Sequence, residues 1–132
     1  MTLDVWWKVA VLSLGGMLGV NARYWLSVWV LRWTNPEFPW PTFLINVSGC
    51  LAIGVASAVL AHAYPHPGIR LLIVVGFLGG YTTFSSYALE AVGLMEQGRG
   101  VLALIYLFGS VALGVAMALL GVMLGRTLRT FF

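Results

Sequence analysis

Charge is what this sequence has least of. Of its 132 residues only 8% are charged, four Asp or Glu against seven Lys or Arg, while 61% are hydrophobic. No soluble domain of this length needs so much apolar surface, so the chain is an integral membrane protein. The net charge of +3 comes without a basic cluster, which argues against nucleic acid as a partner. Cysteine is nearly absent: Cys50 stands alone, excludes an intramolecular disulfide, and reads as a small packed residue. The histidines are His62 and His66, and Pro65 and Pro67 break any helix that would align them on a metal. They read as interfacial residues. No nucleophile–base pair or metal-ligand spacing is present, so an enzyme is not expected. A cleavable signal is not expected either, because Asp4 precedes the apolar run and only Lys8 is basic.

What is there is apolar length. Four segments, about Val5–Leu31, Pro41–His62, Ile69–Leu94 and Val101–Leu124, are each long enough to cross a hydrocarbon core of roughly 30 Å. Their connections are short, so residues 1–132 read as a single all-α transmembrane domain of four helices. Four spans put both termini on one side, with Lys8, Arg70, Arg126 and Arg129. Arg32 and Arg99 lie on the other side, and Arg23 is too deep to count. So weak a positive-inside bias permits insertion in both orientations. Six tryptophans, Trp6 to Trp40, gather near the ends of the first span and in the first loop, as an aromatic belt does.

The third segment carries the feature that needs explaining. Gly76 to Tyr87 reads G-F-L-G-G-Y-T-T-F-S-S-Y and falls near the membrane midplane. Its three glycines each weaken a helix by roughly 1 kcal/mol relative to alanine. Thr82, Thr83, Ser85 and Ser86 bring four hydroxyls to a depth without water. Broken backbone there is tolerated only in a protein interior or along a cavity, and freed carbonyls at such breaks commonly face a cation. A small-residue packing seam explains the glycines but not the hydroxyls together with Phe84 and Tyr87. The segment therefore reads as a functional break.

Polar residues elsewhere are few. Gly15, Gly19, Arg23 and Ser27 step by four and share one face of the first helix. Arg23 either snorkels or takes a structural or ion-attracting role. Pro41 suits the first turn of the second helix. Asn46, about one turn beyond Thr42, is either interhelical glue or an N–H donor facing an anion. Glu90, the only carboxylate within a span, sits near the interface, pairs with an arginine, or accepts from hydroxyls. In the fourth segment Ser110, Gly114, Ala118, Gly121 and Gly125 form a small-residue stripe, and Tyr106 and Ser110 extend a hydroxyl track.

Three motifs in order, G-G-M-L-G-V-N-A-R-Y (Gly15–Tyr24), T-F-L-I-N-V-S-G (Thr42–Gly49) and G-F-L-G-G-Y-T-T-F-S-S-Y (Gly76–Tyr87), resemble the Fluc (CrcB-type) fluoride channel family over essentially the whole chain. The resemblance implies an antiparallel, dual-topology homodimer with a broken third helix in each subunit. It implies passive fluoride export across a bacterial cytoplasmic membrane that lowers fluoride toxicity. It also implies a central sodium ion (Na+) on the backbone carbonyls of Gly79 and Thr82. Asn46, Phe84, Tyr87, Thr83, Ser85, Tyr106 and Ser110 would line the fluoride pathway. Arg23 and Glu90 match an arginine and a carboxylate of the family pattern. Tyr87 departs from it, standing where a second phenylalanine is usual. Its extra hydroxyl must find a partner.

Two other readings compete. A small proton-coupled multidrug antiporter is also four-span, but needs an embedded carboxylate in the first helix. This chain has only Asp4 at the edge, and Arg23 within. A non-transporting membrane subunit would show no ion flux at all.

Overall fold

In a computed structural model, described over residues 2–61 and 67–129, the chain is all-helical. His62 and His66 lie outside the described residues. Four helices are long and apolar enough to cross a membrane: Asp4–Leu31, Trp40–Leu60, Pro67–Glu96 and Gly100–Leu128. The helix α1 spans Thr2–Leu31, and α2 spans Trp40–Leu60 with Pro41 in its first turn. The third span is divided. Its first half, α3, winds as an α-helix over Pro67–Arg70, as a wider π-helix over Leu71–Leu78, and as an α-helix again over Gly79–Tyr81. Its second half, α4, covers Phe84–Glu96. The last helix, α5, spans Gly100–Arg129. The first, third and fourth spans run a few residues past the apolar segments, whereas α2 ends at Leu60.

The helices pack in pairs, α1 on α3 and α2 on α5, and glycines set the spacing. A Cβ on Gly15 would strike the Leu72 carbonyl oxygen, and one on Gly19 the Phe77 carbonyl oxygen. A Cβ on Gly121 would meet Leu51 O, and one on Gly114 would lie 3.2 Å from Cys50 Sγ. Within a bilayer, association depends on such close packing more than on excluding water. The glycine faces of α1 and α5 are therefore the seams that hold the fold.

A second contact fixes α4 against α5. Tyr87, Ala91 and Leu94 pack on Ala103 and Tyr106, with Phe38 and Phe43 alongside. Gly98, at φ 73°, turns the chain between these helices in the left-handed region that favours glycine. At the same end Arg99 Nη2 lies 3.8 Å from Glu37 Oε2, joining the α1–α2 loop to the α4–α5 turn.

Candidate functional site

The break in the third span is two residues long. Thr82 (φ −80°, ψ 157°) and Thr83 (φ −148°, ψ 121°) are both extended. In an unbroken helix the Thr83 N–H would reach the Gly79 carbonyl. Here it donates to Asn46 Oδ1 at 2.9 Å, and Asn46 Nδ2 donates back to Thr83 O at 2.9 Å. The Thr82 N–H goes to Leu78 O at 3.0 Å. Gly79 O is thus left without its usual helical donor, at an exposed residue between buried Leu78 and half-buried Gly80. The Thr83 hydroxyl caps α4, accepting from Ser86 N at 3.3 Å and donating to Ser86 Oγ at 3.1 Å. Arg23 Nη1 approaches Thr82 O at 3.5 Å, so the α1 arginine points at the break.

Two cavities flank this break. The first, about 380 Å³, is lined by Asn46, Gly79, Thr82, Phe84, Tyr87 and Ser110, among others. The second, about 540 Å³, is lined by Arg23, Phe38, Thr42, Ser86 and Glu90. Thr83 lines both. The hydrogen-bonded Asn46–Thr83 pair therefore stands at the partition between them. The first cavity holds hydroxyls, an amide and ring edges but no charged side chain. The second holds one cation and one carboxylate, which do not form an ion pair.

Glu90 and a row of rings connect the two sides. Thr42 Oγ1 donates to Glu90 Oε1 at 2.7 Å, and the Tyr106 hydroxyl donates to Oε2 at 2.7 Å. Of the roles open to Glu90 from the sequence, the structure selects acceptance from hydroxyls. Tyr106 is fully buried, and its ring lies 5.4 Å from Phe38 and 5.0 Å from Tyr87. Tyr87 in turn lies 5.8 Å from Phe84, which is 79% exposed. Aromatic rings so arranged present positive edges as well as apolar faces. The Tyr87 hydroxyl finds its partner in Leu107 O at 2.7 Å.

The structure brings Asn46, Gly79, Thr82, Thr83, Phe84, Tyr87 and Ser110 to one cavity. Tyr106 lines neither cavity and reaches the site through Glu90 and the rings. Ser85 is exposed and lines neither; its Oγ lies 3.4 Å from Thr83 Oγ1. Sequence reasoning gave no role to Thr42 or Phe38. Thr42, one turn before Asn46, carried a spacing signal for a shared helix face. Phe38 carried none, since a loop residue has no periodicity to read.

A family model described as "CrcB-like protein, Camphor Resistance (CrcB)" matches residues 10–122. The chain belongs to the CrcB family. CrcB relatives match it over nearly their whole length. A Rhizobium etli protein named fluoride-specific ion channel FluC is 41% identical over 119 residues, covering 89% of this chain and 95% of the relative. Proteins of the same name from Nitratidesulfovibrio vulgaris and Solibacter usitatus are 41% and 43% identical over 120 residues, covering 90% of this chain and 97% and 98% of theirs. With four spanning helices, this CrcB chain is a multi-pass membrane protein.

Proposed function

We propose that this chain is a fluoride-selective channel, conducting fluoride passively out across the cytoplasmic membrane and so lowering its toxicity. The observation that carries the reading is the first cavity, in a chain whose relatives are named fluoride channels. Moving a small, strongly hydrated anion into low dielectric costs on the order of tens of kcal/mol by a Born estimate. Its water must be replaced by other donors. The second N–H of the Asn46 amide and the edges of Phe84 and Tyr87 offer replacement without a fixed positive charge, while the Thr82, Thr83 and Tyr87 hydroxyl hydrogens are already donated to Leu78 O, Ser86 Oγ and Leu107 O. A pore must release what it binds, and a lysine or arginine in this cavity would hold the anion. Arg23, in the second cavity, raises the local anion concentration from a distance. Glu90 holds the Thr42 and Tyr106 hydroxyls in place, so that an anion accepting from either must compete with a carboxylate.

The working unit in this reading is an antiparallel, dual-topology homodimer. Phe84 and Gly79 are exposed beside an open cavity in a single copy, and a second copy would cover them. The weak charge bias permits both orientations. A sodium ion would be held between the copies by Gly79 and Thr82 carbonyls. Hard oxygen donors suit a hard cation, and Gly79 O has lost its helical donors to the break.

Fluoride efflux from liposomes containing the purified protein tests the function. The voltage is clamped with potassium and valinomycin, and chloride serves as control. Fast fluoride loss without chloride loss is expected. A well-folded protein that passes no fluoride overturns the reading.

A further inference from the structure

A third cavity, about 440 Å³, lies between α2 and α3, where one helix pair meets the other. Its volume is in the range of small-molecule sites, roughly 300–1,000 Å³. It is lined by Leu51, Val55, Val59 and Leu60 of α2 and by Ile73 of α3. Ser48 is the one polar side chain in the lining, and it is already engaged. Its hydroxyl donates to Ile45 O at 3.1 Å, and its Oγ lies 2.8 Å from the Tyr81 hydroxyl. The groove therefore offers an occupant apolar contact alone. Leu60, the last residue of α2, and Ser48 are 12 residues apart, which is about 18 Å of helix. That is close to the depth of one leaflet of the hydrocarbon core, about 15 Å.

We propose that this groove seats one acyl chain of an anionic phospholipid whose phosphate meets Arg70. Arg70 is exposed and lies about one turn before Ile73, near the start of α3. It forms no ion pair among the described residues. A guanidinium presents paired N–H donors that match a phosphate, and basic residues at a membrane surface draw anionic headgroups. The acyl chain would run inward from Leu60 towards Ser48. Ala52 and Ala56 also line the groove, and their short side chains leave it open. A second copy of the chain is the other occupant an apolar groove could take, but its place is elsewhere. Ser48, Leu51, Ala52 and Val55 lie on the opposite side of α2 from Asn46, Gly49, Cys50 and Ile53, which line the first cavity with exposed Phe84. The groove thus faces away from the surface that the proposed dimer would cover. What remains to fill it is the bilayer.

The test is native mass spectrometry of the full chain, released from detergent micelles after incubation with phosphatidylglycerol or phosphatidylcholine of equal chain length. Wild type should retain a phospholipid on each copy. It should hold phosphatidylglycerol about fivefold more tightly than phosphatidylcholine, the worth of one basic residue at an anionic surface. Arg70→Gln should erase that preference and still bind both lipids. Ala52→Phe should abolish retention of both, because the ring enters the groove from an exposed position and meets no packed core. Ala52→Leu repeats the block with a smaller group, should the larger one disturb folding. Equal retention by wild type and the blocked variants would mean annular lipid only and overturn the proposal. A wild type without preference, or a preference that survives Arg70→Gln, would overturn the role of Arg70. Copies that separate in Ala52→Phe while lipid stays bound would assign the groove to a second copy. The lipid is counted without fluoride present, so the outcome stands apart from the channel reading.

Discussion

The Asn46 carboxamide and the Thr83 peptide group face each other across two hydrogen bonds of 2.9 Å, one in each direction. A side chain of α2 thereby takes the place of a missing turn of helix in the third span. The amide is suited to this because it is both donor and acceptor. Asn46→Asp keeps the acceptor for the Thr83 N–H and loses the donor to Thr83 O. Leaving that carbonyl unpaired costs about 1–3 kcal/mol. Fluoride efflux is expected to fall at least about tenfold, a factor worth about 1.4 kcal/mol, while gel filtration shows the same single peak as wild type. Unchanged efflux would remove the Asn46–Thr83 pair from the pathway.

Phe84→Ile replaces a ring by an aliphatic group without a positive edge. Because Phe84 is 79% exposed in the single chain, the change leaves its core intact. Efflux is expected to drop by about ten-fold or more, with the thermal transition in detergent unmoved. A loss of stability in step with the loss of flux would point to packing instead.

Tyr106→Phe takes one of two donors from Glu90. A hydrogen bond to a charged group is worth about 1.5–3 kcal/mol, and Tyr106 is fully buried, so water cannot replace it. The variant should unfold earlier in a detergent titration than wild type. Thr42→Val should do the same through Oε1.

Neighbouring glycines of α1 should respond in opposite ways. A Cβ at Gly19 would strike the Phe77 carbonyl, so Gly19→Ala forces α1 from α3 and costs about 1–3 kcal/mol, the range for overpacking. A Cβ at Gly16 would meet nothing within 4 Å. Gly16→Ala should therefore hold or raise stability, by up to about 1 kcal/mol from helix propensity. Equal effects at the two positions would show that the seam is not where the backbones meet.

Much of this was legible in the sequence, for identifiable reasons. The four spans follow from apolar length, and the break from glycines and hydroxyls at a depth that tolerates neither cheaply. The faces of Gly15 with Gly19 and of Gly114 with Gly121 follow from spacings of three and four. What spacing cannot show is which partner a polar group chooses across helices. Glu90 could be read as interfacial, paired or hydroxyl-bound until Thr42 and Tyr106 were seen on its two oxygens. The hydroxyl of Tyr87 announced a need for an acceptor, but only the packing of α4 on α5 supplies Leu107. The π-wound stretch Leu71–Leu78 has no sequence signature at all, being apolar throughout like any spanning helix apart from Gly76.

Gly79, whose carbonyl has lost its helical donor to the Asn46–Thr83 pair, is an exposed residue of the chain. A solitary copy diluted into excess lipid must hold that oxygen against acyl chains, where an unmet backbone group costs several kcal/mol. The penalty disappears when something polar meets the oxygen, and in the proposed dimer the meeting of two copies would allow that. If the proposed dimer is the working unit, activity per copy should fall as lipid dilutes the protein, and a cell making few copies would gain its conductance late, with roughly the square of the amount made.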